Sequence, residues 1–258
     1  MLRPLLFAAL CLATACAPAR SAALVELTVI DRDNGQWLPD VHHRGERWIA
    51  GTPGHRYGVR MTNTSGQRVL VVLSVDGVNA VTGDTAHPSQ AGYVLSPWQS
   101  SEIAGWRKSE QDVAQFVFTD LPDSYAARTG RPDDVGVIGI AVFTEARRQV
   151  YDMTSPSIAK GSAANSRAAA PTAESASSDA VAAQTLGTGH GQREWSPVSR
   201  TEFARASRQP AQISQLRYDD LDTLVARGVL PRTPRDRGRQ DGPRAFPNGF
   251  VADPPTRW

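Results

Sequence analysis

Two tryptophans, Trp98 and Trp106, are the residues of this sequence best suited to recognition. They flank a bend, in Ser96-Pro97-Trp98 and Gly105-Trp106-Arg107. An exposed indole can stack on a sugar or anchor a protein partner. Arg107 beside them brings a planar fork of donors suited to a carboxylate or phosphate. His190 is the fourth candidate. It lies in a glycine-rich stretch, Leu186-Gly187-Thr188-Gly189-His190-Gly191, and is the one residue there able to exchange a proton near neutral pH. That stretch lacks the Lys and the G-x-x-x-x-G-K-[ST] spacing of a phosphate loop, and no strong strand precedes it, so it reads as a turn.

Other candidates fall to spacing. Asp31-Arg32-Asp33-Asn34-Gly35 has a faint likeness to a calcium loop, but the EF-hand has its Gly at the sixth position and a Glu at the twelfth. Here Gly35 falls at the fifth and His42 at the twelfth, so a hairpin turn is expected. His42 and His43 are neighbours and point to opposite sides of an extended chain. His55, His87 and His190 are scattered, and a three-His metal site would require the fold to gather them. No G-x-S-x-G occurs for a serine hydrolase. The expectation is no enzyme, no cofactor and no metal.

The two cysteines, Cys11 and Cys16, lie near the start, so the rest of the chain carries no disulfide, thiolate metal site or Cys nucleophile. The segment around them reads as an export signal over residues 1–23. Arg3 is followed by an apolar run from Leu5 to Ala15, and a bilayer span would need about 20 residues. Small residues then allow a cut after Ser21 or Ala23. Alternatively, Ala13-Thr14-Ala15-Cys16 resembles a lipoprotein box, with Cys16 as the lipidated first residue. Both routes place the protein in the periplasm or at the outer membrane, touching a membrane only through a lipid anchor. Net charge is +2, from 28 basic and 26 acidic residues, with no concentrated basic face for nucleic acid. Nearly all the basic residues are Arg; Lys occurs only at Lys108 and Lys160.

The elements that must position these residues read as strands. Leu24 to Ile30 is rich in β-branched residues and ends at the Asn34-Gly35 turn signal. Tyr57, Val59 and Met61 alternate with polar neighbours, and after Asn63-Thr64-Ser65-Gly66 comes the apolar run Val69 to Val75. This pair is expected to form an antiparallel hairpin. Tyr93 to Leu95 and Glu102 to Ile103 suggest a second short pair around Ser96-Pro97. Ala114, Phe116 and Phe118 mark another strand, and Val135 to Phe143 is the strongest run. About seven strands separated by turns, with no convincing amphipathic helix, predict a mainly β fold. The expected form is an antiparallel β-sandwich over residues 24–152, Ig-like or jelly-roll-like.

Residues 153–185 are mostly Ala and Ser and read as a flexible, disordered linker. Residues 186–230 read as a small α/β segment packing on the sandwich. It has a helical turn near Phe203, a strand at Ile213, Leu216 and Tyr218, and a short helix capped by Asp219 or Asp220 and stopped by Gly228. Residues 231–258 form a Pro/Arg-rich tail expected to be disordered.

Several strings occur together: Ser74-Val75-Asp76-Gly77-Val78-Asn79, Gly92-Tyr93-Val94-Leu95, Gly105-Trp106-Arg107, Ser124-Tyr125-Ala126, Gly136-Val137-Ile138-Gly139, and the glycine-rich stretch at 186–191. They resemble a family of uncharacterised exported proteobacterial proteins. The resemblance implies a β-rich module that includes the post-linker segment as an added strand; it implies no reaction and no catalytic residue. The expected function is therefore a non-catalytic envelope module whose partner is another envelope protein or a glycan. The glycan version would use Trp98 and Trp106, and a hydrolase of scattered His and Asp residues is a third alternative.

Overall fold

The computed structural model describes residues 22–147 and 185–231. Residues 1–21 of the export signal, with Cys16, almost all of the Ala/Ser linker and the Pro/Arg-rich tail beyond Pro231 lie outside the described residues.

In chain order the strands are β1 (Val25–Asp31), β2 (Trp37–Leu38), β3 (Val41–His43), β4 (Glu46–Gly51), β5 (Arg56–Asn63), β6 (Val69–Val75), β7 (Val78–Asn79), β8 (Tyr93–Leu95), β9 (Ser100–Ile103), β10 (Gly105–Arg107) and β11 (Asp112–Asp120). A short helix α1 (Tyr125–Arg128), β12 (Val137–Thr144), β13 (Leu186–Trp195), β14 (Gln212–Asp220) and α2 (Leu221–Ala226) complete the fold. Two seven-stranded sheets face each other as a sandwich. In the first, β2, β1, β5, β11 and β13 run side by side, with β9 pairing with β5 and β10 with β11. In the second the order is β3-β4-β14-β12-β6-β7, and β8 also pairs with β6. The predicted β-sandwich is the observed architecture. Its pairs are antiparallel except β14 with β4, which are parallel.

Period-two alternation accounts for the core. Val25, Leu27 and Val29 of β1, Tyr57, Val59 and Met61 of β5, and Phe116 and Phe118 of β11 meet Val69, Val71, Leu73 and Val75 of β6 and Ile138, Ile140 and Val142 of β12 in one cluster. Burying each such side chain fully contributes about 1.5–3 kcal/mol before entropy is counted. Among the described residues no helix is long and apolar enough to cross a membrane.

The structure corrects both predicted hairpins. Strands β5 and β6 lie in opposite sheets, and so do β8 and β9. The apolar faces follow the alternation, but alternation does not say whether the next strand pairs or crosses over. Buried Asn63 knits the two crossovers together. Its Nδ2 donates to the carbonyls of Gln67 and Ser96, both at 2.8 Å, and its N–H donates to the carbonyl of Gln99 at 2.9 Å.

The post-linker segment is built into both sheets. β14 sits between β4 and β12, and β13 pairs with β11 along nearly its whole length. Asp220 caps α2 by accepting from the Thr223 N–H at 2.9 Å, and Gly228, at φ 73°, follows its end. The helical turn expected near Phe203 is irregular chain instead; Phe203 packs on the outer face of the second sheet beside Phe143.

Candidate functional site

Two buried carboxylates fix β13, the strand that carries His190. Strand β11 pairs with one edge of β13, and no strand pairs with the other among the described residues. On that free edge the N–H of Leu186 donates to Asp219 Oδ1 at 3.2 Å and the N–H of Thr188 donates to Asp76 Oδ2 at 2.7 Å. Side-chain oxygens thus stand where a neighbouring strand would supply carbonyls. The glycine-rich stretch at 186–191 is accordingly a strand, against the predicted turn. Its glycines serve close approach: a Cβ on Gly187 would lie 2.6 Å from that of Ser124.

Asp76 lies between the sheets in a set of directed hydrogen bonds. Tyr218 Oη donates to Oδ1 at 2.6 Å, and the N–H of Gly136 donates to the same oxygen at 2.9 Å. Thr188 Oγ1 lies 2.6 Å from Tyr218 Oη and 2.5 Å from Tyr57 Oη. Each hydroxyl has one proton to give, so the run Tyr57 to Thr188 to Tyr218 to Asp76 satisfies all four groups with the carboxylate ionised. Burial nevertheless pushes the Asp76 carboxyl up to about 6, against the pull of its donors. Burial and the Asp76 charge together hold the Tyr218 and Tyr57 hydroxyls well above the usual phenol range. Asp219, also buried, lies 3.3 Å from an Arg227 nitrogen. Both carboxylates bind backbone, and both are parts of the fold.

Asp31, Asp33 and His55 lie close enough to face one cation, their ligand atoms being within 4.8 Å of one another. Each is already engaged. Asp31 accepts from the N–H groups of Asp33 at 2.9 Å and Asn34 at 3.3 Å, and its Oδ2 lies 2.7 Å from His55 Nδ1. Arg56 Nε donates to Asp33 at 2.8 Å. These contacts build the expected turn between β1 and β2.

The predicted tryptophan pair is not a platform. Trp106 is 2% exposed and packs edge-on against Phe116, while Trp98 is 69% exposed on the loop before β9. They are eight residues apart, Trp98 in the turn ahead of β9 and Trp106 within β10. The sugar-stacking role expected of the pair is thereby corrected: β10 lies over the core, and its alternation turns Trp106 inward. Arg107 donates to the backbone carbonyl of Ser196, tying the chain after β13 to β10.

His190 has aromatic neighbours that the sequence reading missed. Its ring lies parallel to that of Trp106, 11° apart and 6.5 Å between centroids, and 5.7 Å from the ring of Tyr125. Lys108 Nζ lies 5.6 Å and Arg131 Cζ 5.9 Å from the Tyr125 centroid, within cation–π reach. Partial burial holds the His190 imidazole below its usual pKa, and the charges of Lys108 and Arg193 add to this. Three segments distant in sequence meet here, so no local motif could announce the cluster.

A second surface lies on the outer face of the second sheet. Val72, Gly139, Ala141 and the 63% exposed Ile213 floor an open groove of about 500 Å³, with Arg217 also lining it. Thr85 to Pro88 form one wall. Asp133 and Asp134, in no ion pair among the described residues, line it too. Comparisons with protein-family models, with characterised proteins and with solved structures find no match for this chain, so any function has to be argued from these surfaces themselves.

Proposed function

We propose that this chain is an exported, non-catalytic binding module of the cell envelope, and that it docks a segment of another envelope protein on the outer face of its second sheet. The groove floored by Val72, Ala141 and Ile213 carries this reading. An exposed β-branched side chain over small residues offers a seat for an apolar group, and Asp133 and Asp134 favour a basic residue beside it. The occupant that fits is therefore a protein segment pairing an apolar side chain with Lys or Arg. The export signal read in residues 1–23 supplies the compartment.

The test is co-purification from the envelope with the full chain and two surface variants, Ile213→Asp and Asp133→Lys. One protein retained by the wild type and lost from both variants, with their melting unchanged, is expected. A partner retained equally by both would remove the groove from the reading. The mass of the mature N-terminus checks export: a start at Cys16 carrying lipid, or a cut near Ala23, is expected, and an uncleaved Met1 in the cytosol would end it.

A further inference from the structure

Three cations gather around Tyr125 and His190 without a carboxylate partner, whereas half of the described arginines are paired. Arg32, Arg47, Arg56, Arg60, Arg68, Arg200, Arg217 and Arg227 each lie within 4.0 Å of a carboxylate oxygen. Lys108, Arg131 and Arg193 form no ion pair among the described residues; Lys108 and Arg131 lie over the Tyr125 ring, and Lys108 and Arg193 lie close enough to His190 to act on its charge. Lys108 and Arg193 are exposed, so hydration keeps them soluble, and among the described residues neither has a carboxylate oxygen within 4.0 Å. Arg131 is held in place: its Nη2 donates to Thr129 Oγ1 at 3.0 Å and its Nη1 to the Gly83 carbonyl at 3.4 Å. Behind the rings, buried Trp106 lies 4.9 Å from Tyr125 and parallel to His190, so neither ring can fall back into the core.

We propose that the Tyr125–His190 end of the sandwich is a binding site for an anionic saccharide, in which Lys108, Arg131 and Arg193 take the carboxylate or phosphate groups and the two rings take the sugar's C–H face. The chemistry divides accordingly. Cations alone would suit any polyanion, but charge-assisted hydrogen bonds gain selectivity when a ring beside them fixes the sugar. The rings lie 5.7 Å apart between centroids and are tilted 35° to one another. An acidic peptide would use the cations and leave the rings idle, so the saccharide is the better match. This site is separate from the groove and does not depend on it.

The probe is a short oligogalacturonate, titrated calorimetrically into the full chain, with the neutral oligogalactose, inorganic phosphate and an oligoglutamate as controls. Binding is expected for the oligogalacturonate, at least tenfold tighter than for the oligoglutamate or phosphate, and none for the neutral sugar. Lys108→Glu, at an exposed position, is expected to weaken binding about tenfold, the loss of one charged hydrogen bond. Lys108→Arg is expected to restore it, and His190→Ala to weaken the oligogalacturonate without affecting phosphate. Equal binding of the oligoglutamate would overturn the proposal in favour of an unselective charged patch. So would indifference to Lys108→Glu, or the absence of binding by any probe. Ile213→Asp should leave the saccharide titration unchanged, so failure here and failure of the groove reading are separate results.

Discussion

The outer face of the first sheet and the end of the sandwich around His190 share strands β11 and β13, yet treat charge in opposite ways. On the face, cations and carboxylates alternate. Arg60 reaches Glu102, Glu102 reaches Arg32, and Arg32 grips Glu194 through two hydrogen bonds of 2.7 Å, with Gln115 donating to Glu194 as well. Arg60 also covers the ring of exposed Trp37 at 4.5 Å. Gly58 makes room for this: a Cβ there would lie 2.6 Å from the Glu102 carboxylate, which rests on the sheet. Around His190 the cations have no such partners. Charge that is neutralised internally laces strands β5, β9, β11 and β13 together and leaves little field for a ligand. Charge left unneutralised adds little to the fold and keeps its field available to something outside it.

The interior between these regions gives the hardest test, because Asp76 is a carboxylate with donors and no cation. Asp76→Ala would strand the N–H groups of Thr188 and Gly136 and the hydroxyl of Tyr218 in the core. At about 1–3 kcal/mol for each of the three orphaned donors, a loss of at least about 3 kcal/mol is expected, read by denaturant unfolding. A loss below about 1 kcal/mol would mean that water replaces the carboxylate.

Titration of the same group is expected to have the next largest effect. Its folded pKa, about 6, lies above its ordinary 3.8. The stability it contributes is therefore complete below about pH 4 and lost as pH rises through about 6. The difference amounts to about 3 kcal/mol. Glu194 and Asp40 have the opposite sign, since Arg32 and Arg47 lower their pKa values, but their contribution is lost only below about pH 4. Unfolding measured from pH 4 to 7 should show stability falling with pH, and Asp76→Asn should flatten that slope. A slope unchanged in the Asn variant would assign it elsewhere.

Smaller effects separate the two surfaces directly. Arg32→Ala removes the middle of the charge ladder, where the side chains are about a quarter exposed, and is expected to cost about 1–2 kcal/mol with saccharide binding unchanged. Lys108→Glu is expected to move stability by less than about 0.5 kcal/mol while weakening binding. If the two variants exchanged their effects, the division between paired and unpaired charge would be wrong.

Much of this was legible in the sequence, within limits set by what alternation encodes. The faces of β1, β5, β6, β11 and β12 follow from period two, as do the Asn34-Gly35 turn and the capped helix α2. Pairing partners do not: nothing in Asn63-Thr64-Ser65-Gly66 distinguishes a hairpin from a crossover, because the deciding bonds run from Asn63 to residues 32 and 33 positions away. Glycine misled at 187, 189 and 191, where its lack of a side chain served packing rather than bending. Of the residues proposed to bind, His190 stands out in the sequence, Trp106 lies buried behind it, and Tyr125, Lys108, Arg131 and Arg193 carry no local signal because only the folded chain brings them together.

The carboxylates that cap the free edge of β13 have a consequence for the covalent chain. Asp76 belongs to the part before residue 148, whereas Thr188 and Tyr218 belong to the part after 184, and β14 fills the middle of a sheet made otherwise from the earlier part. A single proteolytic nick between residues 148 and 184 would therefore leave two pieces clasped as one particle. They would separate only in denaturant, and fragment complementation, not independent refolding, would be needed to restore either.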